Sequence, residues 1–316
     1  MSKPDLKSLI NLDECVINAL ELFASRRGKL PRLDLGNFKR PLVVGSGNAA
    51  ATGKIVFKDQ DAVFADESTY KRALQTVKSI DGVVLISASG GKHAPEIARF
   101  LGARKNKPRL VLLTCNKDAD AKKDVDEMIV FPHNPEPYTY NTSTYMGMIL
   151  AGTEESPRQI ISHIKRTVEP VLNKYSESFA NFGAFFVLVP EEFDLIRDML
   201  RTKFVELFGR KIARDIFTWE QAKHATTVVE SDAELFISFG RENKFWGKHR
   251  LYIPLPKNAD YAAMMAAGYY VIGRIQAQKL PWFKESIPAY CQAAPKHFGK
   301  KKPLPLIVKY LKLTDS

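Results

Sequence analysis

Short apolar runs, each closed by a turn of small or polar residues, alternate along the chain with stretches of helical spacing. Leu6, Leu9, Ile10, Val16, Ile17, Leu20 and Phe23 recur as on a helix with one wet face. After a loop rich in Gly, Pro and Arg, Pro41-Leu42-Val43-Val44 reads as a strand, and Gly45-Ser46-Gly47-Asn48-Ala49-Ala50-Ala51 as the tight turn that opens a helix. The plan repeats: the strand Gly82 to Ile86 runs into Ser87-Ala88-Ser89-Gly90-Gly91-Lys92, with a helix from Pro95 to Ala103 behind it. Further strands are predicted at Arg109 to Thr114 and Glu127 to Phe131. A helix from Pro157 to Lys174 leads to a second series: strand Phe185 to Val189, helix Phe193 to Ile212, strands Leu235 to Phe239 and Arg250 to Pro254, and helix Tyr261 to Ala277 before a Pro- and Lys-rich tail. Strands that are apolar throughout, without period-two polarity, imply parallel sheets covered on both faces. Ligands of such sheets bind beyond the carboxyl ends of the strands.

A chain of 316 residues fits two domains, placed at 1–170 and 171–316, and the two halves look like two copies of one plan. With 45% hydrophobic and 26% charged residues the composition is that of a folded globular protein. The start, MSKPDLKSLINLDE, lacks the basic stretch and apolar core of a signal peptide, and no segment reaches a bilayer-spanning apolar length. A soluble cytoplasmic protein is expected. Cys15, Cys115 and Cys291 are far apart and lack metal-ligand spacing, which suits a reducing compartment; Cys115 ends an apolar strand, where a small buried thiol is the ordinary reading. The net charge of +12 attracts anions. Those anions could be nucleic acid, an acidic membrane surface or phosphorylated metabolites, and charge alone does not choose; the basic residues are scattered, apart from clusters at Arg104 to Arg109 and Lys296 to Lys302, and no aromatic-basic repeat is visible, so nucleic acid is not expected.

The sharpest chemical signal is Ser87-Ala88-Ser89-Gly90-Gly91-Lys92. Hydroxyls, two glycines, the unpaired N–H groups of a helix start and the Lys92 ammonium together suit an anion. The same residues also fit a turn whose serines merely cap the helix. Gly45-Ser46-Gly47-Asn48 is a second such turn on the same sheet edge; it lacks the third glycine of a dinucleotide fingerprint and the Gly-Lys-Ser/Thr ending of a P-loop. It could admit a substrate close to the backbone or serve turn geometry alone. Tyr140-Asn141-Thr142-Ser143-Thr144-Tyr145 enters a helix and, by itself, reads as an N-terminal cap.

In this order, strand-Gly45-Ser46-Gly47, strand-Ser87-x-Ser89-Gly90 and the hydroxyl segment Thr142-Ser143-Thr144 resemble the sugar isomerase (SIS) domain family. Lys92 stands where that family usually has Thr or Ser. The resemblance implies two tandem flavodoxin-like α/β domains, each a parallel sheet flanked by helices. It also implies a sugar-phosphate substrate bound by Gly45, Ser46, Gly47, Asn48, Ser87, Ser89, Gly90, Gly91, Lys92, Thr142, Ser143 and Thr144. In double-domain members the second half supplies a catalytic Glu and His. Thr202 to Gly209 resembles the helix with the Lys-x-x-Glu element, giving Glu206, and Ala222-Lys223-His224-Ala225 resembles the Lys-His-Gly segment, giving His224. Ala225 replaces the usual Gly, and Val189-Pro190-Glu191-Glu192-Phe193 has lost any phosphate loop, so the second sheet is expected to bind no phosphate.

The implied chemistry is aldose–ketose isomerisation of a hexose or amino-sugar phosphate through an enediol, with Glu206 as base and His224 opening the ring. Lys284, after Pro281-Trp282-Phe283, is the candidate for the lysine of the family's closing segment. Each has an ordinary alternative: Glu206 an ion pair with Arg210, His224 a surface histidine with Glu220 as its partner or as the base, Lys284 a surface lysine. His93, His133 and Glu136 fall near the predicted rim without metal spacing, and no metal or organic cofactor is expected. Family members usually dimerise, so a homodimer is implied, with Tyr269-Tyr270 and Trp282-Phe283 as interface candidates. Deglycation or deamination of an amino-sugar phosphate, and a non-catalytic sugar-phosphate sensor, are the competing functions.

Overall fold

The computed structural model describes residues 6, 9–25, 29–33, 38–175, 177–225, 228–299 and 302–309. Residues 1–5, residues 7 and 8 at the start of the helix predicted from Leu6, and Lys300, Lys301 and residues 310–316 of the tail lie outside them. The elements run α1 (Leu12–Ala24), β1 (Pro41–Val44), α2 (Asn48–Val56), β2 (Val63–Ala65), α3 (Tyr70–Thr76), β3 (Gly82–Ile86), α4 (Ala94–Gly102), β4 (Arg109–Thr114), β5 (Glu127–Val130), β6 (Glu136–Pro137), α5 (Thr142–Ala151), α6 (Pro157–His163) and α7 (Glu169–Lys174). The second series is β7 (Ala184–Val189), α8 (Arg197–Phe208), β8 (Ala213–Thr218), α9 (Trp219–Ala225), β9 (Glu234–Phe239), β10 (His249–Ile253), α10 (Tyr261–Gln278), α11 (Trp282–Ala293) and β11 (Ile307–Val308).

Strands β1 to β5 form a five-stranded parallel sheet in the order β2-β1-β3-β4-β5, the flavodoxin order. Strands β7 to β10 form a four-stranded parallel sheet in the order β10-β9-β7-β8, the same winding without a fifth strand. The protein is thus α/β with two flavodoxin-like units, and the strand interiors read as apolar runs because both faces are covered.

The alternation of side chains across each strand sorts the core into layers. Val43, Val84, Ile86, Val111 and Leu113 point to one side of the first sheet, and Phe185, Val187, Leu235, Ile237 and Leu251 to one side of the second. Both sets belong to a single apolar cluster with buried residues of α1, α5, α8 and α10. The opposite face of the first sheet, Leu42, Val44, Val83, Leu85, Leu110 and Leu112, packs on α4 and Tyr70. The opposite face of the second, Phe186, Leu188 and Phe236, is covered by Trp219 and Ala222 of the short α9. Helix α1 joins the two halves: it packs on α5 and α6 of the first and on α10 of the second, and its Leu12 N–H donates to the Gln276 side chain of α10 at 3.0 Å.

Several expectations change in this frame. The helix predicted from Phe193 to Ile212 is a 3₁₀ turn followed by α8, which ends at Phe208. Tyr269 and Tyr270 are buried on α10, 0% and 6% exposed, so they pack the interior rather than an interface. All three cysteines are buried free thiols. Among the described residues no helix is long and apolar enough to cross a membrane.

Candidate functional site

Strands β1 and β3 are neighbours in register, Val44 opposite Leu85, so the turns that leave them lie side by side at the carboxyl edge of the first sheet. Between them opens a cavity of about 340 Å³, walled by Gly45, Ser46, Gly47 and Asn48 from the first turn and by Ser87, Ala88, Ser89 and Lys92 from the second. Gly45 is required because α2 folds back over it: a Cβ there would stand 2.8 Å from the Ala49 carbonyl carbon.

The second turn is held from behind. Thr114 Oγ1 donates to the Ala88 carbonyl at 2.9 Å, the Cys115 N–H and Sγ reach the same oxygen at 3.2 and 3.0 Å, and Asn116 Nδ2 donates to the Ser89 carbonyl at 3.0 Å. Ser87 Oγ accepts the Gly90 N–H at 3.1 Å and Ser89 Oγ the Gly91 N–H at 3.3 Å. The two serines thus both shape the turn and face the cavity. Gly90 has φ +61°, and a Cβ on it would come 2.4 Å from that of Ala119, so the loop closes only with glycine there. Gly90 and Gly91 shape the loop without lining the cavity; Gly91 and Lys92 border an adjoining open cleft with Arg99, Lys122 and Lys123.

The far wall comes from elsewhere in the chain. Glu206 and Thr202 reach in from α8, Tyr138, Thr139, Asn141 and Tyr145 from the segment around β6 and α5, and Tyr290 and Val308 from the C-terminal region, where β11 pairs antiparallel with β6. Glu206 is paired with Lys203, one helical turn away, at 2.7 Å, and not with Arg210. Lys203 is fully buried, and its ammonium also donates to the Thr139 and Tyr140 carbonyls, both at 2.8 Å. Thr139 and Asn141 have positive φ values of 81° and 47°, uncommon for non-glycine residues, and Lys203 fixes the carbonyls of that twisted segment. The Glu206 side chain stays 26% exposed at the cavity wall. Burial raises its pKa above the ordinary carboxylate value, against the opposing pull of the Lys203 and Lys92 charges. A carboxylate so placed can take up a proton from a substrate carbon.

Thr142, Ser143 and Thr144 are fully buried and do not line this cavity. The backbone of the first two and the hydroxyls of the last two are engaged internally: buried Glu136 accepts the N–H groups of Thr142 and Ser143 at 2.6 and 2.8 Å, and His133 Nδ1 lies 3.2 Å from Ser143 Oγ and 3.0 Å from Thr144 Oγ1. Their neighbours Asn141 and Tyr145 face the cavity instead. Burial pushes the Glu136 pKa up and holds that of His133 down at about 4.

His224 and Lys284 are also not among the residues that line the cavity. His224 is exposed at the end of α9, on the outer face of the second sheet, and Lys284 is half-buried on α11. His93 does line it, at the start of α4. Local pattern reading missed Glu67, Tyr138, Thr139 and Tyr290, because distant segments converge on the site; Asn141, Tyr145 and Thr202 stood within segments already singled out. Among the described residues no three His, Cys, Asp or Glu side chains are grouped as a metal site.

The fold is shared with solved structures of low sequence identity. Tagatose-6-phosphate ketose/aldose isomerase from Escherichia coli superposes with a TM-score of 0.55 at 15% identity, over 86% of this chain and 89% of that one. The C-terminal domain of glucosamine-fructose-6-phosphate aminotransferase from Francisella tularensis gives 0.54 at 12% identity, over 87% and 94%. Glucosamine-6-phosphate deaminase from Thermotoga maritima gives 0.52 at 13%, over 93% and 98%. No protein-family model and no curated protein matches the sequence.

Proposed function

We propose that this protein binds a phosphorylated sugar and moves a proton between adjacent carbons, as an aldose–ketose isomerase working through an enediol. The observation that carries this reading is that Glu206, supplied by the second half, opens into the same cavity as the serine turn at 87–92, supplied by the first. Ser87, Ser89 and Lys92 offer hydroxyls and a cation suited to a phosphate, and the anchored phosphate fixes the sugar for the base, so binding supplies orientation and Glu206 the proton transfer. Glu206 takes the proton from the carbon beside the carbonyl, and the same carboxylic acid returns it to the neighbouring carbon. Lys203 positions the carboxylate. The solved structures named above support the reading, since each carries the name of an enzyme acting on a sugar 6-phosphate.

His224 lies away from this cavity, so its part in ring opening requires that a second copy of the chain supply it, and a homodimer belongs to that part of the proposal. Lys284 has no role in it. Deamination or deglycation of an amino-sugar phosphate begins with the same proton transfer and uses the same residues; the carboxylate of Glu67 in the cavity wall favours it as the second reading. A sensor would bind without turnover.

The test is solvent deuterium incorporation. Incubated in D₂O with hexose 6-phosphates, the protein should exchange the hydrogen at the carbon beside the carbonyl, followed by NMR. Glu206→Gln should lower that rate about 10²- to 10⁴-fold with ligand affinity nearly unchanged. Binding without exchange, or exchange at the full rate in the variant, overturns the assignment.

A further inference from the structure

The cavity holds a charge that a phosphate and a set of hydroxyls do not explain. Glu67 lines it, on the turn that follows β2. That turn is braced by hydrogen bonds: Asp66 Oδ1 accepts the N–H groups of Ser68 and Thr69, both at 2.9 Å, and their hydroxyls, both at 2.7 Å, while the Asp66 N–H donates to Thr69 Oγ1 at 3.0 Å. Glu67, exposed at the rim of the cavity, is carried on that braced turn. Its Oε2 accepts a hydrogen bond from the Ser46 hydroxyl, and its other oxygen has no hydrogen-bond partner among the described residues.

The sheet order sets the distance. Strand β1 separates β2 from β3, so the turns after β2 and β3 stand about two strand spacings, or ~10 Å, apart. This is the scale of a phosphosugar whose phosphate sits on the serine turn and whose other end meets Glu67. A carboxylate accepts hydrogen bonds only, and its negative charge repels a dianionic ligand that carries nothing to balance it. A ligand with a protonated amine at that end turns the repulsion into attraction, and the same carboxylate then discriminates against the neutral analogue.

We infer that Glu67 is a specificity-determining residue, and that it selects phosphosugars carrying a protonated amine over those carrying only hydroxyls. This rests on the phosphosugar reading of the cavity. The amine is either the primary amine of an amino-sugar phosphate or the secondary amine that joins a ketose phosphate to a second molecule; both put a cation where Glu67 can meet it.

Isothermal titration tests it with four probes: inorganic phosphate, fructose 6-phosphate, glucosamine 6-phosphate and an N-alkyl 1-amino-1-deoxyfructose 6-phosphate. Wild type should bind at least one of the two amines about tenfold more tightly than fructose 6-phosphate, and the better of the two identifies the amine type. Glu67→Gln should erase that preference, weakening the amine while fructose 6-phosphate, freed of the repulsion, binds at least as tightly as to wild type. Equal binding of amine and hydroxyl ligands by wild type overturns the inference, as does an equal loss for every ligand in Glu67→Gln. Either result leaves the phosphosugar reading standing if fructose 6-phosphate binds in competition with inorganic phosphate. Failure of all four probes on wild type overturns both.

Discussion

Lys203 is the residue on which the catalytic proposal turns. Its ammonium is wholly enclosed and divides its three donors among the Glu206 carboxylate and the carbonyls of Thr139 and Tyr140. Replacing it with methionine leaves a carboxylate beside a twisted segment without its counter-charge, a change that costs about 3 to 5 kcal/mol when a buried pair is broken. Where Lys203→Met folds, the lost charge lets the Glu206 pKa climb further, so the acid limb of the pH–rate profile should move to higher pH. A profile shifted downwards or left in place would show that Lys203 does not set the ionisation of Glu206. His133 offers a second prediction. Its buried imidazole is held near 4, against 6.5 ordinarily, so the unfolded chain takes up the proton first as pH falls. Stability from this group is complete above pH 6.5 and declines by about 3 kcal/mol on going down to pH 4. In His133→Gln that decline is absent, and the stability gap between wild type and variant should narrow from pH 7 to pH 4 in urea titrations.

At the level of elements, the serine turn works because β4 holds it from behind. Asn116→Ala removes the donor to the Ser89 carbonyl and should weaken phosphosugar binding several-fold while leaving the melting temperature within a few degrees, since Asn116 is only half-buried. Gly90→Ala should do worse, combining an unfavourable left-handed backbone with a Cβ driven against Ala119; a loss of about 1 to 3 kcal/mol is expected by urea denaturation. The glycine and serine turns were legible in the sequence because one short segment carries all their chemistry, and the central strands because burial on both faces makes them continuously apolar. Of the edge strands, β5 and β10 were legible too, and β2 and β8 were not. β8, Ala213-Arg214-Asp215-Ile216-Phe217-Thr218, carries polar residues on a border strand with one side unpaired, and the helical spacing before it hides its start. β2 is only three residues long, and Glu67 follows it. The opposite wall of the cavity, Tyr138, Tyr290 and Val308, leaves no local trace, because β11 must return across the molecule to pair with β6 before those residues meet.

Across the whole molecule, the repeated strand plan suggests two self-sufficient halves, whereas the inner faces of both sheets drain into one apolar layer shared by α1, α5, α8 and α10. The tightest point of that layer is Gly273 on α10, where an added Cβ would stand 2.0 Å from the Asp13 backbone nitrogen of α1. Gly273→Ala should therefore push α1 away and lower stability by about 1 to 3 kcal/mol, read as a reduced urea midpoint with an unchanged cooperative slope. An undivided interior also decides what becomes of the chain when it is severed. Cut in the connection between α7 and β7, each fragment keeps its own parallel sheet but loses the β6–β11 pairing and exposes half of a layer meant to be closed by the other. Made separately, the pieces should aggregate or stay soft; made together, they should find one another and rebuild the native particle without a covalent link.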